Sequence, residues 1–169
     1  TDNFTGYISE DTSFGRPACN EIISLMESSQ GVLWAGTWYG GLARFNKETG
    51  QFRYYFGEGD TLTIPRIRTL FQRTANSFYL GSDDGLYTFN TTTGECLPTD
   101  DEQNKESIYA CYQDREGGIW IGTYFSGVSY LSPKHKDIEW YYPNGTENSL
   151  SGNVISQFCE DPDGNIWIA

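Results

Sequence analysis

Short apolar runs recur along this chain, each cut off by Gly, Asn, Asp or Ser before it reaches helical length. The clearest is Gly118-Ile119-Trp120-Ile121-Gly122-Thr123. The same shape stands at Gly31-Val32-Leu33-Trp34-Ala35-Gly36-Thr37, in degenerate form at Ser77-Phe78-Tyr79-Leu80-Gly81-Ser82, and again at Gly164-Asn165-Ile166-Trp167-Ile168-Ala169. Taking Phe78 as the counterpart of the tryptophans, the aromatics Trp34, Phe78, Trp120 and Trp167 lie 44, 42 and 47 residues apart. A period of forty-odd residues whose units hold short strands and turn residues marks a β-propeller blade rather than a helical solenoid. Blades are scaffold, so function is expected in the loops between strands.

Within each unit the runs predict four strands joined by hairpins, which make one blade. The first full unit, 21–56, offers Ile22 to Met26 as innermost strand, then Val32 to Thr37, Leu42 to Phe45 and Phe52 to Phe56. Its inner run, apolar at Ile22, Ile23, Leu25 and Met26, is expected to be a strand buried on both faces. The second, 66–97, uses Ile67 to Phe71, Phe78 to Gly81, Leu86 to Phe89 and a weak strand near Glu95 to Leu97. The third, 107–142, uses Ile108 to Tyr112, Ile119 to Thr123, Val128 to Leu131 and Ile138 to Tyr142. Residues 3–8 resemble the outer strand of a preceding blade, and 153–169 supply half of a following one through Val154 to Cys159 and Ile166 to Ile168. The fold class is therefore all-β, a partial β-propeller of about three and a half four-stranded antiparallel blades. Closed rings hold roughly four to eight blades, so the chain is expected to be one piece of a single larger propeller domain.

Composition agrees. Among 169 residues, 19 Gly, six Pro and 16% aromatic residues suit short strands joined by tight turns. A net charge of −12 with scattered Lys and Arg repels phosphate backbones, which excludes nucleic acid as a partner of this segment. No apolar run is long enough to span a bilayer, so a membrane is reached only through a parent chain. The four cysteines, Cys19, Cys96, Cys111 and Cys159, have no C-x-x-C spacing, and His135 stands alone, which leaves no zinc set and no cofactor to expect. Cys111 and Cys159 fall one position apart in equivalent strands and are expected as buried free thiols on opposite faces.

The repeat also resembles a known family. Ile108 to Val128, Val154 to Ile168 and Ile22 to Leu42 are similar to the two-component regulator propeller repeat, with its inner strand, acidic turn, Ile-Trp-Ile-Gly-Thr strand and Gly-Leu return, and Glu147 to Asn153 is similar to its lead-in. The resemblance implies the periplasmic sensor region of a hybrid two-component histidine kinase/response regulator, detecting an oligosaccharide without turnover. The partners it implies are that ligand and the remaining blades, and it allows a homodimer. Kinase and DNA-binding activities would belong to the parent.

Three candidate sites remain. Asp161-Pro162-Asp163-Gly164-Asn165 has the alternating carboxylates of a calcium loop but no later acidic ligand, and the equivalent Asp114 to Gly118 reads as a plain hairpin turn, the preferred reading. No nucleophile elbow or His-carboxylate pairing occurs, which leaves a propeller lyase or glycan hydrolase as the second class of function and a protein-interaction scaffold as the third. Trp34, Trp120 and Trp167 read as core aromatics. The ligand surface is expected where the loops between second and third strands meet the lead-ins to inner strands. There Trp38, Tyr39, Tyr124 and Phe125 offer rings and Arg16 and Arg66 offer guanidinium forks for a uronate or sulfate. The competing role for Trp38 and Tyr124 is to fold inward and plug a central channel.

Overall fold

The computed structural model describes residues 3, 5–8, 20–57, 60–64, 66–99, 105–134 and 138–169. It divides into two compact units, Thr1–Ile67 and Arg68–Ala169. Among the described residues no α-helix occurs. In the first unit, β1 (Ile22–Glu27), β2 (Leu33–Thr37), β3 (Leu42–Asn46) and β4 (Gln51–Tyr55) form one antiparallel sheet in chain order. The next sheet holds β5 (Ile67–Thr74), β6 (Ser77–Ser82), β7 (Gly85–Asn90) and β8 (Cys96–Pro98). A third holds β9 (Ile108–Gln113), β10 (Ile119–Thr123), β11 (Val128–Leu131) and β12 (Ile138–Tyr141), and β13 (Phe158–Glu160) pairs with β14 (Ile166–Ile168). The fold is a partial β-propeller of four-stranded antiparallel blades.

Register corrects one alignment. Gly36 pairs with Leu42, Gly81 with Leu86 and Gly122 with Val128, so the residue two positions before each glycine is Trp34, Tyr79 or Trp120. Tyr79, not Phe78, takes the tryptophan's place, and Phe78 is instead wholly buried against Phe89. The glycines themselves mark close approaches of side chains and backbone. A Cβ on Gly36 would run into the Ile67 carbonyl and Ser24 Oγ, one on Gly81 would lie 2.7 Å from Ile108 Cγ2, and one on Gly122 would lie 2.6 Å from Ile155 Cγ2. Each glycine thus seats an isoleucine that is fully or almost fully buried. In the second unit, Tyr79, Leu86, Ile108, Ile119 and Ile121 close the core, with Phe71, Cys111 and Leu131 packed on it.

The hairpins between first and second strands are tied by one device. Asp114 accepts from the Gly118 amide (2.7 Å) through one carboxylate oxygen and from the Trp120 indole N–H (2.9 Å) through the other. Asp161 repeats this with the Asn165 amide and the Trp167 indole N–H, both at 2.9 Å, and Ser28 substitutes in the first sheet by accepting from the Val32 amide at 3.2 Å. Those donors hold the Asp161 carboxyl down at a pKa of about 2, chiefly through the Asn165 side chain. A carboxylate surrounded by N–H groups is a turn cap, and among the described residues no cluster of His, Cys, Asp or Glu is arranged for a metal.

Other expectations need correcting. The inner strand β1 is not buried on both faces: Ile22 and Leu25 are exposed, the latter at 66%, because a blade's face is covered only by a neighbour and none covers this one among the described residues. The strand expected from Val154 starts only at Phe158, since the Asn153 carbonyl and the Ile155 amide are already engaged with the Gly127 amide and the Thr123 carbonyl of the preceding sheet's loop. Trp34 is buried and Trp120 half-buried, but Trp167 is 65% exposed. Cys159 is exposed rather than buried; Cys111 and Cys96 are half-buried free thiols that desolvation pushes up to about 12, and Cys19 lies outside the described residues. The described residues of 3–8 join no strand ladder, though the Tyr7 ring meets Phe45 edge-on at 4.8 Å.

Candidate functional site

The turn between second and third strands is closed by a hydroxyl in all three full sheets. Thr37 Oγ1 donates to the Gly41 carbonyl (2.9 Å) and accepts from the Gly40 amide (2.8 Å). Thr123 does the same with the Gly127 carbonyl (3.0 Å) and Ser126 amide (2.8 Å), and Ser82 with the Gly85 carbonyl (3.0 Å) and Asp84 amide (3.1 Å). Gly41 and Gly127 return the chain at φ of 71° and 77° beneath the carbonyls of Tyr55 and Tyr141, where a side chain has neither the backbone freedom nor the space. With hydroxyl and glycine closing the turn, the two residues after the hydroxyl are left to project outward. They are Trp38-Tyr39, Asp83-Asp84 and Tyr124-Phe125.

In the first unit, Trp38 is half-buried and its amide donates to the Glu21 carbonyl at 2.9 Å. Arg66 lies over its ring, 4.6 Å from the centroid, and 5.8 Å from that of Tyr39. Tyr39 stands edge-on to Trp38, 6.2 Å away at 81°, and is 57% exposed. Arg16 lies outside the described residues.

The second unit builds the same arrangement with more members. Tyr124 is half-buried, its amide held by the Ser107 carbonyl at 3.0 Å, and Phe125 meets it edge-on at 4.5 Å and 90° with 68% of its surface exposed. Behind Tyr124 lies Tyr109 at 5.0 Å, and behind Tyr109 lies the Arg68 guanidinium, 4.1 Å from the ring centroid. Asp83 binds Arg68 Nε and also faces the Ser107 hydroxyl at 3.4 Å, and Glu106 accepts a hydrogen bond from Ser126 Oγ. Tyr109 reaches this position because the ladder skips it: Ile108 pairs with Thr123 and Ala110 with Gly122, a bulge that turns the intervening residue toward the loops. Ile23 is the skipped residue at the matching bulge of β1.

The candidate rings therefore stand in two groups, Trp38 and Tyr39 with Arg66, and Tyr124 and Phe125. In each, one ring is half-buried and braces an exposed partner, so Trp38 and Tyr124 are supports while Tyr39 and Phe125 are the reachable surfaces. Sequence reasoning missed Arg68, Asp83, Tyr109 and Glu106. Arg68 and Tyr109 sit inside inner strands, where alternation alone assigns them to a packed face; the bulge reveals otherwise for Tyr109, and the contacts with Asp83 and the Tyr109 ring do so for Arg68. Away from these loops, the conspicuous charge pair is structural. Arg115 Nε meets Glu160 at 3.1 Å, Arg115 also donates to the carbonyls of Asp161 and Pro162, and Glu160 takes the Arg115 amide and the Tyr112 hydroxyl, so the pair clasps two hairpins of one unit.

Comparison with known proteins agrees with the repeat. The family model described as two component regulator propeller matches residues 17–39, 102–125 and 149–169. Among solved structures, the chain is similar to the extracellular domain of the putative hybrid two component system BT4673 from B. thetaiotaomicron, with 22% identity and a TM-score of 0.74 over 94% of this chain and 21% of that one. It is also similar to the corresponding domain of BT3049 from the same organism, with 17% identity and a TM-score of 0.59 over 95% of this chain and 27% of that one. Virginiamycin B lyase from Staphylococcus aureus shares 12% identity at a TM-score of 0.62 over 87% of this chain and 48% of that one. The chain thus spans about a fifth of the length of the first of these. No curated protein matches it.

Proposed function

Because the chain is built on two-component regulator propeller repeats, we propose that it is a sensing segment, part of one periplasmic propeller domain whose blades are 21–56, 66–97 and 107–142 with 153–169 opening the next. Its parent would be a hybrid two-component sensor that signals to a kinase outside this segment. The ligand is an oligosaccharide, bound without turnover, and the other partners are the remaining blades, with homodimer formation open to the parent. Neither nucleic acid nor membrane is contacted by this segment itself.

The observation that carries this reading is the pair of exposed rings, Tyr39 and Phe125, at equivalent turn positions, each braced by a half-buried aromatic. Isolated exposed aromatics are ordinary, but rings held rigid on turns lose little entropy when a sugar face stacks on them. Against turnover stands the use of the carboxylates: Asp114 and Asp161 cap turns, Glu160 is consumed by Arg115 and Tyr112, and Asp83 by Arg68. The test is incubation with an oligosaccharide panel, following both binding and product formation. Binding without new products is expected, and weakening by Tyr39→Ala and Phe125→Ala would locate it. Product formation abolished by replacing one carboxylate would replace this reading with an enzyme.

A further inference from the structure

Arg68 and Asp83 do more than brace a ring. A guanidinium beside a ligand platform is the usual fork for a carboxylate or sulfate, but here Asp83 already occupies Arg68 Nε, and both side chains are largely withdrawn from solvent at 14% and 23% exposure. Glu106 is bonded to Ser126, next to Phe125, and Asp84 adds another negative charge to the turn that carries Asp83. The environment of the Tyr109-Tyr124-Phe125 stack is therefore aromatic and acidic, with its guanidinium neutralised from within.

We propose that the Asp83–Arg68 pair makes this platform selective for an uncharged sugar ring at Phe125 and closes it to rings carrying uronate or sulfate. The proposal rests on the oligosaccharide-sensing reading and adds its ligand chemistry. An incoming acid at Phe125 faces Glu106 and the acidic turn of Asp83 and Asp84 with Arg68 already paired, so it meets repulsion where a neutral ring meets only apolar faces and hydrogen-bonding groups. Specificity of this kind comes from what is set against the wrong ligand as much as from contacts with the right one. Asp83 is thus a specificity-determining residue, and Arg68 a positioning residue acting through Tyr109.

The probes are cellohexaose, xylohexaose, mannohexaose and maltohexaose as neutral ligands and hexagalacturonate as the acidic one, titrated into the whole chain by calorimetry. The wild type and an Arg66→Met variant, which removes the guanidinium of the other ring pair, are expected to bind at least one neutral hexaose, and the Arg66→Met variant is expected to leave hexagalacturonate unbound. Asp83→Asn removes the charge at constant shape and should raise hexagalacturonate affinity by about tenfold or more, an effect of releasing Arg68 that a purely structural role would not produce. Phe125→Ala should weaken the neutral ligand by about tenfold. Wild-type binding of hexagalacturonate that Arg68→Met weakens would overturn the selectivity while leaving the sensor reading intact. Binding of none of the five would overturn both. A folded Asp83→Asn with no gain also sinks the proposal. Should Asp83→Asn unfold, the Arg66→Met chain decides: raising NaCl from about 0.05 to about 0.5 M should leave neutral binding unchanged and strengthen any residual hexagalacturonate binding by screening repulsion, whereas weaker binding would mean attraction governs and the idea is wrong.

Discussion

Replacing Gly36 by Ala tests whether the blade glycines exist for packing. Gly36 does not have a left-handed φ, so the substitution carries no backbone penalty and by itself would stabilise by about 0.4–1 kcal/mol through the unfolded chain. The space is the obstacle. The new Cβ would overlap the Ile67 carbonyl oxygen and Ser24 Oγ and come within 3.0 Å of Ile67 Cγ2, and the first of these is backbone that no rotamer change can move. Ser24 Oγ donates to that same carbonyl at 3.1 Å, so relief also strains or breaks this bond, worth about 1 kcal/mol. Adding overpacking of about 1–3 kcal/mol and subtracting the entropic gain gives a net loss of about 1–3.5 kcal/mol. For a chain of this size that lowers Tm by roughly 2–14 °C. Urea and thermal denaturation of Gly36→Ala, Ser24→Ala and the double variant would measure it, with Ser24→Ala losing only about 1 kcal/mol and the pair combining non-additively because they share one carbonyl. Gly152→Ala is the control, since nothing lies within 4 Å of its Cβ position and its φ is not positive. Equal stability of Gly36→Ala and Gly152→Ala would refute the packing argument.

Ser129 Oγ is fully buried with no hydrogen-bond partner among the described residues, and the matching position of the first sheet is Ala43, so Ser129→Ala is expected to stabilise by up to about 1 kcal/mol in urea denaturation; a loss of that size would show a hidden bond. Asp161, with its folded pKa lowered to about 2, contributes stability that is fully present above the unfolded value of about 3.9 and is lost as pH falls through about 2; a carboxyl NMR titration with a midpoint near 4 in the folded chain would contradict the cap. Iodoacetamide near neutral pH should alkylate exposed Cys159 well before Cys96 and Cys111, whose thiols burial pushes up to about 12, and mass spectrometry of early time points showing Cys111 modified first would reverse that order.

The scaffold was legible because its signals are local. Alternation, Gly-bounded runs and the forty-odd period place β2, β3, β10 and β11 to within a residue, and Asp114 and Asp161 announce their turns by type and spacing. What escaped needed partners distant in sequence. Tyr79 was misaligned by one because Phe78 is also aromatic, and only the pairing of Gly81 with Leu86 resolves the register. The start of β13 was placed too early because Ile155 is drawn into the preceding sheet to cover Gly122, a demand that no run of apolar residues encodes. Arg68 and Tyr109 looked like ordinary strand residues until the skipped position in the β9–β10 ladder turned Tyr109 toward the loops.

That division follows from how the turn is made. A threonine or serine hydroxyl ties the β2–β3, β6–β7 and β10–β11 turns to the carbonyl of a closing glycine, and that bond uses neither side chain of the two residues after the hydroxyl. In two turns they carry an aromatic support and an exposed ring; in the middle one, shorter by a residue, they carry Asp83 and Asp84. The middle turn is not a failed copy, because Asp83 reaches across its unit to Arg68 and Ser107 and so conditions the ring stack on the neighbouring sheet. A repeat that keeps its scaffold constant and varies only two projecting residues per turn can change what it recognises blade by blade. Within the second unit the acidic turn and the Tyr124-Phe125 pair are thereby joined, since Asp83, Arg68, Tyr109, Tyr124 and Phe125 form a continuous chain of contacts.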